Sequence, residues 1–192
     1  SRKDELKLSL GFEDKEIFVY MPTFRGVITD RKSSQQRDEI EDYLIQLDKS
    51  LKENQLMLVK LHVLNEAQID FTKFNHIMPF PTDYESYDVV NMADVLITDY
   101  SSIMIEYSIL NKPTVFFTYD LDEYLANERG FYYDFKTTVP GPIVYTSDEL
   151  IGVIENDEFD KSKISEFVKT QFDEIDGNSS KRIVNFLLNN EG

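Results

Sequence analysis

Short apolar runs separated by polar or amphipathic segments predict a series of β-strands along the chain. The runs are rich in β-branched and aromatic residues, and several of them end at proline or at a cluster of polar residues. The predicted strands lie at 17–21, 56–59, 74–80, 95–98 and 114–117, with a further apolar run at 143–145. Because these runs are almost uninterrupted by polar residues, they indicate strands that are buried on both faces.

Apolar residues that recur at helical spacing predict helices between most of these strands. The predicted helices lie at 1–10, 40–51, 83–92, 103–110, from 148 and from 164, with a break near 176–178. We expect Asp83 and Ser147 to cap the helices that follow them, because short polar side chains accept hydrogen bonds from unpaired N–H groups. The polar segment 27–36 has no periodicity and is predicted to be a long loop.

Strands that alternate with helices predict an α/β fold: a Rossmann-like parallel sheet with helices on both faces. No internal repeat, low-complexity stretch or linker divides the sequence, so we expect residues 1–192 to form one domain. The chain has neither a Gly-x-Gly-x-x-Gly fingerprint nor a P-loop. It is therefore not expected to be a dinucleotide oxidoreductase or a P-loop NTPase.

Charge and composition narrow the classes of partner. The 192 residues include 20 Lys and Arg against 36 Asp and Glu, which gives a formal net charge of −16. Such a chain should repel nucleic acid and anionic lipid, so we expect neither nucleic acid nor membrane contact from this domain. It contains no cysteine and only two histidines, and we expect no metal and no cofactor. No apolar run is long enough to span a membrane, and no signal-peptide pattern precedes the first strand.

The most informative segment follows the predicted strand at 95–98. Thr98 and Asp99 end that strand, and Ser101 and Ser102 open a helix. At the carboxyl edge of an open α/β sheet, hydroxyl donors and unpaired helical N–H groups suit phosphate. The alternative is that one serine is simply an N-cap. Glu106 lies one residue too far for a capping box, but it is near enough to accept a hydrogen bond from a ligand hydroxyl.

Polar side chains also follow other predicted strands. Arg25 follows the first strand, Lys60 and His62 follow the second, and Asp120 follows the fifth. Two of these residues have an ordinary alternative. Arg25 could be a surface arginine, and His62 could be a hydrogen-bonded structural histidine. Because the carboxyl ends of parallel strands share one edge of the sheet, we expect these residues to lie together.

A second signal is the pair Arg129 and Gly130, which precedes the aromatic segment 131–133. An arginine held by packed aromatic rings would offer a rigid, permanently charged fork to phosphate oxygens. The alternative is that the aromatic residues belong to the core and that Arg129 pairs with a neighbouring carboxylate.

Several motifs, taken in order, resemble the CDP-glycerol glycerophosphotransferase family, the teichoic acid polymerases and primases of Gram-positive cell walls and related capsule enzymes. The matching segments are Pro-Thr-Phe-Arg at 22–25, Lys-Leu-His at 60–62, Thr-Asp-Tyr-Ser-Ser at 98–102, Asn-Lys-Pro at 111–113, Tyr119-Asp120 with Tyr124, Arg-Gly-Phe-Tyr at 129–132, Pro-Gly-Pro at 140–142 and Asp-Gly-Asn-Ser-Ser at 176–180. The sequence departs from the family pattern at Gly26, Val63 and Glu106.

The resemblance implies a GT-B architecture in which this chain is the C-terminal, donor-binding domain. The abrupt start at Ser1 is consistent with a chain excised from a longer protein, whose absent N-terminal domain would hold the lipid-linked polymer acceptor and the general base. The residues that would bind the donor are Arg25, Lys60, Thr98, Asp99, Ser101, Ser102, Glu106 and Gly130. His62 and Arg129 would be catalytic, because they would neutralise charge on the phosphates as CMP leaves.

The function expected from the resemblance is transfer of glycerol phosphate, or a related polyol phosphate, from CDP-glycerol or CDP-ribitol to a teichoic acid or capsule polymer, with release of CMP. The alternatives are a UDP-sugar-dependent GT-B donor domain and a non-catalytic α/β domain that binds a nucleotide or a protein. The full-length enzyme would be cytoplasmic and peripheral on the inner face of the membrane, and the isolated chain would be inactive. The sequence leaves open whether the donor carries glycerol or ribitol and whether the enzyme is a primase or a polymerase. It also leaves the oligomeric state open.

Overall fold

The computed structural model describes residues 2–23, 31–61, 69–127 and 133–189. Within them, six parallel strands form one sheet. The strands are β1 (Glu16–Met21), β2 (Gln55–Val59), β3 (Ile77–Pro79), β4 (Val95–Thr98), β5 (Thr114–Phe117) and β6 (Ile143–Val144). Their order across the sheet is β3-β2-β1-β4-β5-β6, and every neighbouring pair is parallel. The chain thus builds outward from β1 in one direction and then from β4 in the other.

Helices lie between the strands, before β1 and after β6. They are α1 (Arg2–Leu10), α2 (Arg31–Ser50), α3 (Ser86–Met92), α4 (Ile103–Ser108), α5 (Leu121–Asn127), α6 (Phe135–Thr138), α7 (Ser147–Asn156), α8 (Lys161–Gln171) and α9 (Ser179–Asn189), with a short 3-10 helix at Phe71–Lys73. The break predicted near 176–178 separates α8 from α9.

The sheet is covered on both faces, because successive strand residues point to opposite sides. Ile17 and Val19 of β1 pack in one buried cluster with residues of α1, α3 and α4. Phe18 and Tyr20, between and after them, pack in a second cluster with residues of α2 and α7. Every residue of β2, β4 and β5 is buried. The predicted α/β fold, a Rossmann-like parallel sheet with helices on both faces, is confirmed.

The start of α2 corrects the loop predicted at 27–36. The helix begins at Arg31, whereas residues 24–30 lie outside the described residues. Apolar periodicity did not mark residues 31–36, because a polar stretch has no apolar stripe to reveal its helical period. Lys, Gln and Arg are nevertheless good helix formers, and the amphipathic part of α2 that follows can propagate the helix through them.

Three predicted boundaries are also corrected. The N-cap of α3 is Glu85, which makes no side-chain capping bond, and not Asp83. Thr146, and not Ser147, caps α7, and it forms a capping box with Glu149. The strand predicted at 74–80 shortens to β3, because the N–H groups of Asn75 and His76 donate to the Asp48 carboxylate and not to a neighbouring strand. β3 contains Pro79, which an edge strand can tolerate.

The Pro-Gly-Pro motif at 140–142 lies before β6, at the amino end of the sheet. A Cβ on Gly141 would stand 1.9 Å from the carbonyl oxygen of Thr114 at the start of β5. The Pro142 carbonyl oxygen accepts a hydrogen bond from the Phe116 N–H at 2.9 Å. Gly141 thus permits a close approach of the chain to β5, and this motif is explained by packing.

Candidate donor-phosphate site

The strand order reverses between β1 and β4, so the carboxyl ends of these two neighbours define the crevice where open α/β sheets bind ligands. Thr23 follows β1, and the turn of residues 99–102, hereafter the β4–α4 turn, follows β4. The two segments are in direct contact. The described part of the predicted site therefore lies at the position that the strand order favours for a ligand.

Asp99 connects the two segments that border the crevice. Its carboxylate is buried and accepts hydrogen bonds from the Thr23 N–H at 2.9 Å and from the Thr23 hydroxyl at 2.7 Å. The Tyr100 N–H donates to the same carboxylate at 2.6 Å. A carboxylate with these donors sets the geometry of both loops. The structure thus places Asp99 at the site as a positioning group, and any direct contact with the donor stays a prediction.

Thr98 has a similar internal role. Its side chain is fully buried, and its hydroxyl donates to the Met21 carbonyl oxygen at 2.7 Å. This bond joins the last residues of β4 and β1, one step below the Asp99 contact. The donor-binding role predicted for Thr98 is untested, but the bond explains why a hydroxyl residue suits this strand end.

Ser101 and Ser102 follow these buried groups in the chain, at the start of α4. Ser102 is the N-cap residue and is exposed, yet its side chain makes no capping hydrogen bond. The Ser101 hydroxyl oxygen is 3.4 Å from the Ile103 N–H, a long contact. Neither serine therefore makes a short side-chain capping bond to α4.

Glu106 lies one turn further along α4 and is exposed. The helix is shorter than the predicted 103–110, because it ends at Ser108 and continues as tight turns up to Asn111, which adopts a positive φ of 52°. A helix of one to two turns has few aligned peptide dipoles, so hydroxyl and N–H donors matter more here than the helix dipole.

Tyr100 connects the β4–α4 turn to the loop after β5. Its ring stacks on Tyr124 at a centroid distance of 3.8 Å and meets Phe135 edge-on at 5.6 Å. Its hydroxyl donates to the Asp120 carboxylate at 2.9 Å. Sequence reasoning placed Asp120 at a strand end but assigned no role to Tyr100, because residues that are distant in the chain become partners only through the tertiary fold.

Lys60 follows β2, and its ammonium group donates to the Ser86 hydroxyl at the start of α3. The same group lies 4.8 Å from the centre of the Phe80 ring, at a distance typical of a cation–π contact. These residues line a small pocket of about 130 Å³ together with Pro81, Thr82 and Tyr84. The described geometry thus places Lys60 near the crevice edge, held towards α3.

The remaining predicted site residues are Arg25, His62, Arg129 and Gly130, and they lie outside the described residues. Their assignments therefore stay predictions. Within the described ranges, no group of three or more acidic or histidine side chains could hold a metal ion. No described helix is both long and apolar enough to cross a lipid bilayer.

One side of the crevice edge is strongly acidic. Glu39, Asp120, Asp122 and Glu123 line a pocket of about 300 Å³ with three tyrosines, one of which is Tyr43. Burial and the nearby carboxylates raise the pKa of Tyr43 above its ordinary value. Phosphate groups should avoid this pocket, because its carboxylates repel them.

The comparisons with known proteins agree on one family. The model of the family described as CDP-Glycerol:Poly(glycerophosphate) glycerophosphotransferase matches residues 1–189. The chain is 38% identical over 178 residues to a teichoic acid poly(ribitol-phosphate) polymerase of Bacillus spizizenii. It is 37% identical over 190 residues to a teichoic acid glycerol-phosphate primase of Bacillus subtilis.

Solved structures give the same result. The wall teichoic acid polymerase TagF superposes with a TM-score of 0.80 and 28% identity over 98% of this chain and 47% of that one. A form of TagF soaked with CDPG matches with a TM-score of 0.76.

The matched region is only part of each relative. The alignments cover 92% and 98% of this chain but 28% and 48% of the ribitol-phosphate polymerase and the glycerol-phosphate primase. The resemblance seen in the motifs is confirmed over nearly the whole sequence, and the chain belongs to the CDP-glycerol:poly(glycerophosphate) glycerophosphotransferase family.

Proposed function

We propose that this chain supplies the donor-binding part of an enzyme that transfers a polyol phosphate from a CDP-linked donor to a growing teichoic acid or capsule polymer. Family membership and the likeness to teichoic acid polymerases and primases support this proposal. The relatives include both ribitol-phosphate and glycerol-phosphate enzymes at nearly equal identity. We favour glycerol phosphate as the donor group, and the match to TagF soaked with CDPG is compatible with that choice.

The observation that carries the proposal is that Ser101, Ser102 and Glu106 follow the buried Asp99 at the switch point of the sheet. The serine hydroxyls and the first N–H groups of α4 would donate to the donor phosphates. Glu106, one turn away, would accept hydrogen bonds from the ribose hydroxyls. Lys60 and Arg25 would add positive charge at neighbouring strand ends, and Gly130 would let the chain approach the phosphates closely.

The reaction that fits this donor is displacement at the phosphorus that carries the polyol. A hydroxyl of the polymer forms the new O–P bond, the anhydride P–O bond breaks, and CMP leaves. The hydroxyl proton passes to a general base, which we assign to another part of the full-length enzyme. His62 and Arg129 would stabilise the charge that builds on the phosphate oxygens.

In this proposal the chain is the C-terminal half of a GT-B enzyme. The acceptor would be a lipid-linked polymer held by an N-terminal domain. The full-length protein would then work in the cytoplasm, at the inner face of the cell membrane where its acceptor lies.

Ligand binding tests the proposal directly. Calorimetry on the full-length protein would compare CDP-glycerol, CDP-ribitol, CMP and a UDP-sugar. We expect binding of the cytidine ligands with a preference for one CDP-polyol, and release of CMP when acceptor is added. Preferential binding of the UDP-sugar would contradict the proposal in favour of ordinary glycosyl transfer. No binding of any nucleotide would contradict a donor-binding role altogether.

A further inference from the structure

We propose that Tyr100 is a positioning residue for the donor phosphates, and that it acts through a hydrogen bond to Asp120. This inference rests on the proposed function, because it assigns a task to the residue that immediately precedes the two serines. Neither Tyr100 nor Asp120 needs to touch the donor. Their task is to hold the β4–α4 turn in one place relative to α5.

The ring of Tyr100 is held on two sides. Tyr124 of α5 stacks on it with 23° between the ring planes, and Phe135 of α6 meets it edge-on at 64°. Phe135 in turn meets Phe116 of β5 at 88°. This packing fixes the ring through ring contacts alone, which a phenylalanine at position 100 could also make.

The hydroxyl of Tyr100 does something that the ring cannot do. It donates to the Asp120 carboxylate at 2.9 Å, and hydrogen bonds to charged acceptors are stronger than those between neutral groups. Asp120 lies at the start of α5, where its carbonyl oxygen accepts from the Tyr124 N–H at 2.9 Å. Tyr100 therefore contacts α5 twice, through Tyr124 and through Asp120.

These bonds complete a chain of contacts across three neighbouring strand ends. Thr23 after β1 binds Asp99, Asp99 binds the Tyr100 N–H, and the Tyr100 hydroxyl binds Asp120 after β5. The strands concerned, β1, β4 and β5, are adjacent in the sheet. Tyr100 thus connects Asp99, at the end of β4, with Asp120, after β5.

Two features make this link relevant to the donor. Ser101 and Ser102 follow Tyr100 directly, so a shift of its backbone shifts their hydroxyls. α5 ends at Asn127, two residues before Arg129 in the sequence. Arg129, the predicted catalytic arginine, thus follows α5 closely in the sequence. A misplacement of about 1 Å in such a site can cost on the order of 100-fold in rate.

The test uses the full-length protein and four variants, Tyr100→Phe, Asp120→Ala, Asp120→Asn and the double variant Tyr100→Phe/Asp120→Ala. We measure kcat and KM with CDP-glycerol, together with the melting temperature. We expect kcat/KM to fall by about 10- to 100-fold in Tyr100→Phe and in Asp120→Ala. The fold-loss in the double variant should be clearly smaller than the product of the two single fold-losses, because the Tyr100–Asp120 hydrogen bond is already absent in each single variant. Asp120→Asn keeps an acceptor oxygen and should retain most of the activity.

A matched control is Tyr87→Phe, which removes the hydroxyl of an exposed tyrosine on α3 and should leave kcat/KM unchanged. If the wild type is active but Tyr100→Phe only melts earlier with unchanged kcat/KM, Tyr100 is a packing residue and the inference is wrong. Additive losses in the double variant would also overturn it. If the wild type binds no CDP-linked donor, the proposed function itself fails, which is a different result.

Discussion

Asp99 and Thr23 are joined by three contacts although they lie 76 residues apart in the chain. Both the N–H and the hydroxyl of Thr23 donate to the same buried carboxylate. The contact ties the end of β1 to the end of β4, the two strands between which the order of the sheet reverses. The predicted phosphate-binding serines follow Asp99 by two and three residues, so this contact fixes the start of the turn that carries them.

Removal of the Asp99 carboxylate should destabilise the fold. In Asp99→Ala the N–H groups of Thr23 and Tyr100 and the Thr23 hydroxyl lose their acceptor in a buried setting. We expect the free energy of unfolding to fall by at least about 2 kcal/mol, measured by urea denaturation. Asp83→Ala, at an exposed aspartate, is the control and should change stability little. Equal stabilities of the two variants would contradict the structural role of Asp99.

Ser102 and Glu106 should affect different parts of the ligand. Ser102→Ala should weaken binding of CDP-glycerol, and Glu106→Gln should reduce the preference for CMP over deoxy-CMP. The Glu106 change should matter because a carboxylate is a stronger acceptor for paired hydroxyls than an amide. Each of the two losses in binding free energy should be on the order of 1–3 kcal/mol. Calorimetry decides, with Glu155→Gln on the exposed surface of α7 as the control. Unchanged affinities in both variants would remove α4 from the nucleotide site.

Arg129 should matter for turnover more than for folding. Loss of a preorganised donor to the transition state typically costs about 10²- to 10³-fold in kcat, so we expect this range for Arg129→Ala in the full-length enzyme. Arg182→Ala is a suitable control, because Arg182 pairs with the exposed residues Glu174 and Asp176. Steady-state assays that show the same kcat in wild type and Arg129→Ala would exclude a catalytic role.

Two glycines should respond in opposite ways to alanine. Gly141→Ala would place a Cβ 1.9 Å from the Thr114 carbonyl oxygen, and overpacking of this kind costs about 1–3 kcal/mol or more. Gly152 lies within α7, and a Cβ at this position would have nothing within 4 Å. Gly152→Ala should therefore add about 0.5–1 kcal/mol of stability. Melting temperatures that move in the same direction would show that the close approach at β5 is not rigid.

Asp94 should make the folded state sensitive to acid. Burial alone would raise its pKa, but the Ile17 N–H and the ammonium groups of Lys3 and Lys7 outweigh that and lower it below the ordinary value of 3.8. A depressed folded pKa gives stability that is present above the unfolded pKa and lost as the pH falls through the folded one. Stability should therefore decline below about pH 4 more steeply in wild type than in Asp94→Asn.

Denaturation at pH 7 and pH 3 measures this difference. Asp94→Asn should cost about 1–3 kcal/mol at pH 7 and less at pH 3, because Asp94 of the unfolded wild type is largely protonated there and part of the charge-dependent stability is lost. Asp88→Asn on α3 is the control. A cost that is independent of pH would show that the Asp94 charge does not stabilise the contact between α1 and the sheet.

Local patterns were sufficient to predict most of the strands. β4 and β5 appear at their predicted residues, because an uninterrupted apolar run is itself the signal of a strand buried on both faces. The same reasoning failed at α2, where residues 31–36 are polar and carry no periodic signal. Helix caps were misplaced at Asp83 and Ser147, since neighbouring residues compete for one capping position and only the backbone conformation selects among them.

By itself, the sequence determined which elements form and which polar residues follow each strand, because periodicity and strand ends are properties of neighbouring residues. It also carried the family motifs. Only the tertiary structure decided the strand order, and with it the pairing of Thr23 with Asp99 and of Tyr100 with Asp120. Those contacts join residues 76 and 20 positions apart. Buried donors and acceptors must be paired, but their partners are set by which strands become neighbours.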